Sequence, residues 1–215
     1  MMSLFITLEG PDGSGKTTQI ELLAERLRDL GHEVLITREP GGTSIGDQIR
    51  AVVHDVKNVE MTRETEFLLY SASRAQHVRQ LIRPHLERGG TVLCDRFADS
   101  SMAYQGYGRE LDLKMIGCVT GFATGGLTPD LTIYLDLAVE VGLQRKQSAH
   151  AAQAGEWNRL DQQTMDFHRR VRQGYLEMAQ ADPDRWLVVD ATQSVSDTHA
   201  AICTRLESLL TTAER

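Results

Sequence analysis

At 215 residues, with 41% apolar and 25% charged side chains, the chain has the composition of a protein that buries a core, not of a disordered one. Its net charge of −7 argues against a nucleic-acid footprint, and no apolar run approaches the roughly 18 residues that a membrane helix needs. The opening segment MMSLFITLEG carries no basic region ahead of its short apolar stretch and no small-residue cleavage site, so a cytoplasmic protein is expected. Cys94, Cys118 and Cys203 lie far apart with no CxxC spacing, and buried free thiols are expected. An acidic chain can still bind a small anion locally, and arginine, the residue suited to bidentate phosphate recognition, outnumbers lysine 19 to 4.

In chain order, Leu4–Leu8 reads as a short buried strand that runs into a glycine-rich turn. Ile20, Leu23, Leu27 and Leu30 recur at helical spacing until Gly31, a C-terminal cap. Val34–Ile36 forms a second strand, Ile45–Val53 a helix, and Glu64 to Leu86 a long helix whose end Pro84 is expected to kink or fray. Thr91–Cys94, Leu131–Leu135 and Trp186–Val189 supply three more strands with helical patterns between them, and Ile202, Leu206 and Leu209 mark a terminal helix. Short, wholly apolar strands separated by helices predict an α/β fold of three layers, a five-stranded parallel sheet covered by helices on both faces. With no internal repeat, one domain is expected over residues 1–215. Ligands in such sheets bind beyond the carboxyl ends of the strands. The polar clusters Glu9 to Thr18, Thr37 to Thr43 and Asp95 to Gln105 fall there.

The first cluster contains Gly10, Pro11, Asp12, Gly13, Ser14, Gly15, Lys16 and Thr17, a complete GxxxxGK[ST] motif followed by Thr18, between a strand and a helix. Glycines let successive N–H groups turn toward phosphate oxygens. The helix N-terminus adds its positive end, Lys16 a point charge, and the Thr17 hydroxyl a ligand for Mg²⁺. A P-loop of the NTPase type therefore binds a nucleoside triphosphate. Kinase, GTPase switch and mechanical ATPase all share this loop. An NKxD-type guanine reader is absent from the sequence, and a motor would normally be larger, so several arginine-bearing loops favour a kinase that encloses a small acceptor.

The second strand runs into Arg38, Glu39 and Pro40, with Arg50 on the next helix; Tyr70 and Arg74 sit at i and i+4 on the long helix. The third strand ends in Asp95 and Arg96, followed by Ser100, Ser101, Tyr104 and Gln105. An aromatic plane, amide and hydroxyl groups and guanidiniums suit a nucleotide. On the motifs GPDGSGKTT, TREPGGT, LLYSASR, DRFADSSMAYQG, TPDLTIYLDL and RLDQQTMDFHRRVRQGYLEMA, in this order over nearly the whole chain, the sequence resembles the bacterial thymidylate kinases.

The resemblance implies an ATP-dependent phosphotransferase that converts dTMP to dTDP with Mg²⁺, working as a homodimer without nucleic-acid or membrane partners. A kinase for another monophosphate, such as dUMP, is the alternative. Residue by residue, it implies that Tyr70 stacks on thymine, that Arg74 bonds its carbonyl edge, and that Ser101 and Gln105 read the rest, with Ser100 helping to position the nucleotide. Tyr104 would crowd the 2′ position, and Asp12 would accept from the 3′-hydroxyl. Arg38 and Arg96 would hold the acceptor phosphate, Arg50 would lie near the base, and Glu39 and Asp95 would orient the arginines or metal-bound water.

A monophosphate acceptor, with its second pKa about 6, is already largely a dianion at neutral pH, so no general base is needed. The remaining demand is for cations and N–H groups around the transferred phosphoryl, which Lys16, Arg38 and Arg96 supply. One branch of the family has a catalytic arginine where this chain has Gly13; the other uses arginines from a mobile lid after the fourth strand. In the lid region, about residues 143–160, the candidates are Arg145, then Arg159, with Lys146 beside them. They flank QSAHAAQAGEWN, which departs from the arginine-rich family pattern and holds only Glu156 as a formal charge; His150 and Trp157 are read as bystanders.

Overall fold

The computed structural model describes residues 3–153 and 157–213. Glu156, the one charge of the expected lid insert, thus lies outside the described residues. Five strands, β1 (Phe5–Glu9), β2 (Val34–Arg38), β3 (Thr91–Asp95), β4 (Leu131–Asp136) and β5 (Trp186–Asp190), form one parallel sheet in the order β2-β3-β1-β4-β5. Each strand continues past its apolar run to a charged residue, because the hydrogen-bonded ladder does not depend on side-chain polarity. Arg38 thereby pairs in register with Asp95, and Asp136 with Asp190.

Alternation along β1 builds the two flanking layers. Leu4, Ile6 and Leu8 pack with Leu23 and Leu27 of α1 (Lys16–Asp29) and with Ile202 and Leu206 of α9 (Val195–Ala213). On the opposite face, Phe5 packs with Val92, Cys94 and Phe97. Farther along that face, Tyr134 and Trp186 meet Phe167, Val171 and Tyr175 of α8 (Met165–Ala181). Gly31, at φ +89, ends α1 as expected. No acidic residue sits in the first turn of α1, so its positive end stays available at the loop after β1.

After α2 (Ser44–His54), the long helix is α3 (Arg63–His77), a π-helical turn (Val78–Ile82) and α4 (Arg83–Glu87). Pro84 cannot donate an N–H and its ring crowds the carbonyl four residues back. The widened turn just before it absorbs this misfit, so the helix continues to Glu87 instead of ending. A second π-helical stretch (Met102–Gly108) follows α5 (Ala98–Ser101). The remaining helices are α6 (Leu113–Thr124) and α7 (Val139–Ala151). Among the described residues, no helix is long and apolar enough to cross a membrane. Cys94 is buried as expected, but Cys118 lies exposed on α6 and Cys203 is half-buried on α9, so burial holds for only one of the three thiols.

Candidate active site

A cavity of about 540 Å³ lies at the carboxyl ends of the strands, within the size range of small-ligand sites. The loop after β1 forms one end. Lys16 is almost fully buried, and its ammonium donates to the carbonyls of Gly10 (3.1 Å) and Pro11 (3.1 Å). Burial, then the nearby Arg96 charge, pulls its pKa below the ordinary lysine value despite Asp95, Asp12 and Glu9. Asp12 gathers three cations: Arg96 donates to it at 2.8 Å, Lys146 pairs with its other oxygen, and Lys16 stands 3.6 Å away. Burial pushes the Asp12 carboxyl up, but those three charges outweigh it and hold the group well below the usual range.

Arg96 takes φ +67, a left-handed backbone rare outside glycine and asparagine. That turn lays its guanidinium over the Tyr104 ring, 5.3 Å from the centroid, and between β3 and the P-loop. The Arg96 Nη1 and the Asp95 Oδ1 are both buried with no hydrogen-bond partner among the described residues. Arg145, projecting from α7, donates to the Gly13 carbonyl at 3.0 Å.

The other end of the cavity is walled by side chains fixed from behind. Arg74 is fully buried and spends its guanidinium on Glu39 (2.7 Å), the Ser101 hydroxyl (2.9 Å) and the Phe97 carbonyl (3.0 Å). Glu39 also meets His77 Nδ1 at 3.1 Å, and His77 Nε2 meets Thr37 at 2.7 Å. Arg50 donates to the Pro40 carbonyl at 3.3 Å, and the more exposed Arg38 reaches Asp47 at 3.4 Å. Tyr70 presents its ring, its hydroxyl buried without a partner among the described residues. Burial lifts the Tyr70 pKa and pushes that of Tyr104 up to about 12, so both stay neutral donors.

A family model described as thymidylate kinase matches residues 8–202. The chain belongs to the thymidylate kinase family. It is 57% identical to the thymidylate kinase of Deinococcus radiodurans over 93% of this chain and 94% of that one. With the thymidylate kinase of Roseiflexus sp. strain RS-1 it shares 50% identity, over 97% of this chain and all of the other. The crystal structure of thymidylate kinase from Ehrlichia chaffeensis superposes with a TM-score of 0.76 at 33% identity, covering 96% of this chain and 99% of that one. Membership makes the chain an ATP-dependent phosphotransferase with a P-loop kinase fold.

Within this thymidylate kinase fold the cavity brings together the expected Pro11, Asp12, Gly13, Gly15, Lys16, Thr17 and Thr18 of the P-loop. It joins them to Arg38, Glu39, Arg50, Tyr70, Arg74, Asp95, Arg96, Ser100, Ser101, Tyr104, Gln105 and Arg145. Gly10 and Ser14 of the same loop do not line the cavity. Arg159 departs from expectation. It is buried and donates to the Glu66 carboxylate and to the Val53 carbonyl (3.2 Å), so it does not line the phosphate end. The physical reason is Glu66, a fully buried acid on α3 whose charge Arg109 and Arg159 neutralise together.

Sequence reasoning passed over Glu66, His77 and Tyr175, and gave Glu9 no role beyond opening the first polar cluster. Glu66, Tyr70 and Arg74 are spaced i, i+4, i+8, so the stripe that revealed the last two also pointed to the first. Glu9, the final residue of an otherwise apolar strand, accepts from the Phe97 N–H (2.8 Å), Ser100 (2.6 Å) and Tyr175 (2.7 Å). His77, three residues beyond Arg74, extends the same stripe, whereas Tyr175 carries no local signal because helix packing places it.

Proposed function

We propose that this chain transfers the γ-phosphoryl group of ATP to dTMP, releasing dTDP and ADP. What carries the proposal is the single cavity in which the P-loop cations adjoin the chamber walled by Tyr70, Arg74 and Gln105. An oxygen of the dTMP phosphate attacks the γ-phosphorus as the bond to the β-phosphate oxygen breaks, and ADP leaves with that electron pair. The attacking oxygen is already anionic near neutral pH, so no residue must remove a proton. Arg38 and Arg96 hold the acceptor phosphate in line. Lys16, the P-loop N–H groups and Arg145 stabilise charge spreading over the transferred group.

Among the described residues, no cluster of three or more acidic, histidine or cysteine side chains forms a cage for a metal. Mg²⁺ instead is commonly held by one or two protein oxygens together with substrate phosphates. Asp95, whose buried Oδ1 has no partner among the described residues, and the Thr17 hydroxyl fit that mode. There the ion would neutralise the β- and γ-phosphate oxygens.

In this reading the chain is one cytoplasmic domain whose lid includes the described residues 143–153 and 157–160. Leu68 of α3 and Met115 and Phe122 of α6, with Phe122 82% exposed, support a homodimer packed through these helices. The deciding assay is ADP release with ATP and Mg²⁺ against dTMP, dUMP, dCMP, dGMP, AMP and thymidine. Strong preference for dTMP with thymidine inert is expected. Equal turnover of dUMP would remove the thymine claim, and stimulation by none would refute the acceptor assignment. Lys16→Ala is expected to lower turnover at least about 100-fold.

A further inference from the structure

Glu66 makes more polar contacts than the phosphoryl transfer explains. Its Oε1 accepts from Gln105 Nε2 (2.9 Å) and Arg109 Nε (3.2 Å), and its Oε2 from Arg109 Nη2 (2.8 Å) and Arg159 Nη2. Burial pushes this carboxyl up, but the Arg109 hydrogen bonds and charge, Gln105 and Arg159 outweigh it and hold the group below its ordinary value. It is therefore ionised at neutral pH and can only accept.

A glutamine amide has a donor end and an acceptor end, and an acceptor-only partner removes its freedom to flip. With Nε2 committed to Glu66, the carbonyl Oε1 is the end left for the cavity that Gln105 lines. Gln105 belongs to the π-helical stretch, which turns this side chain inward between α3 and α8. Thymine and uracil offer an N3–H donor; cytosine offers a bare N3 acceptor. Arg74 also lines the cavity and keeps two N–H groups beyond those given to Glu39, Ser101 and Phe97, so any contact it makes with the base is a donated one, which suits the same ring.

We propose that Glu66 is a positioning residue for base selection: by accepting only, it fixes the Gln105 carbonyl toward the acceptor base. The site thereby takes a 4-oxo pyrimidine nucleotide and rejects a 4-amino one. This rests on the reading above that the acceptor is a pyrimidine monophosphate held beside Gln105.

Glu66→Gln tests it at nearly constant shape. The Oε2 position faces two guanidinium donors that cannot reverse, the Oε1 position only the longer one from Arg109 Nε, so the new carbonyl takes Oε2 and the new amide nitrogen falls at Oε1, facing Gln105. Gln105 then flips and turns its own NH₂ to the base. The ratio of kcat/KM for dTMP to that for dCMP is expected to fall about tenfold or more, while Glu66→Asp, still acceptor-only, keeps the wild-type ratio.

Because Glu66→Gln leaves two guanidiniums facing a neutral group, Glu66→Gln/Arg109→Gln, which removes one of them, is assayed in parallel and is expected to show the same relaxed ratio. Equal losses on both substrates, with the ratio unchanged, would overturn the inference and leave Glu66 a structural anchor. A relaxed ratio in Glu66→Asp would also overturn it, since lost packing would then explain the effect. The reading beneath is tested separately: wild-type enzyme that ignores dTMP sinks both, whereas wild-type preference for dTMP with an unchanged ratio in the variants sinks only the inference.

Discussion

Glu9 converts the buried wall behind the P-loop into a measurable pH dependence. Its side chain is fully buried and accepts hydrogen bonds from Phe97, Ser100 and Tyr175. Burial dominates and lifts the carboxyl from 4.5 to about 7, against the lowering effect of Arg96. The native state therefore holds this proton more tightly than the unfolded chain does. Its contribution to stability is fully present below about pH 4.5 and is lost as pH rises through about 7. At about 1.4 kcal/mol per pKa unit, the loss is on the order of 3 kcal/mol once the group is ionised. Glu9→Gln keeps the shape and removes the titration. Denaturant melts of both proteins, without nucleotide, at steps from pH 5 to pH 8.5 isolate the difference. Wild type is expected to lose most of those 3 kcal/mol relative to the variant by pH 8. Parallel stability curves would refute the reasoning, because they would mean that the nearby guanidinium keeps Glu9 ionised throughout.

The Tyr70 hydroxyl is buried without a partner among the described residues, so Tyr70→Phe is expected to raise stability by about 1 kcal/mol in urea melts. Gly13 takes φ +79, and a Cβ there would stand 2.9 Å from the Cβ of Arg145. Gly13→Ala is therefore expected to cost about 1–2 kcal/mol and to lower kcat by displacing Arg145, read by thermal melts and steady-state assays. Excess chelator is expected to abolish turnover without moving the melting curve, since the proposed ion sits largely on substrate oxygens. A lower melting temperature would point to a structural metal instead.

The strand order of the fold needed the structure, but its elements were legible because all five strands are apolar runs cut by helical spacing. The apolar criterion failed at the same place each time, one or two residues before the charged strand ends Glu9, Arg38, Asp95, Asp136 and Asp190. These charged ends close the ladder, and two of them, Arg38 and Asp95, also line the cavity, so hydrophobicity alone assigns them to loops. The P-loop and the Tyr70/Arg74 face could be read because their chemistry is local in sequence. The partners that hold them were not, since Glu66 meets Gln105, Arg109 and Arg159 across 39, 43 and 93 residues of chain. Nothing in a linear pattern shows that Arg159 turns to a buried acid on α3 rather than to a phosphate.

Asp12 has a consequence for how strongly salt acts on this enzyme. Lys16, Arg96 and Lys146 are three like charges held close together around one carboxylate. Without that carboxylate their mutual repulsion would be relieved by ions drawn from solvent, and every entering phosphate would have to expel them. With it, the protein carries its own counter-ion, covalently fixed and already dehydrated on its cation-facing side. An arriving polyanion then competes with tethered carboxylates, Asp12 and, at Lys146, Asp161 (3.0 Å), instead of a mobile ionic atmosphere, so the dependence of nucleotide affinity on ionic strength is expected to be shallower than three facing cations would suggest.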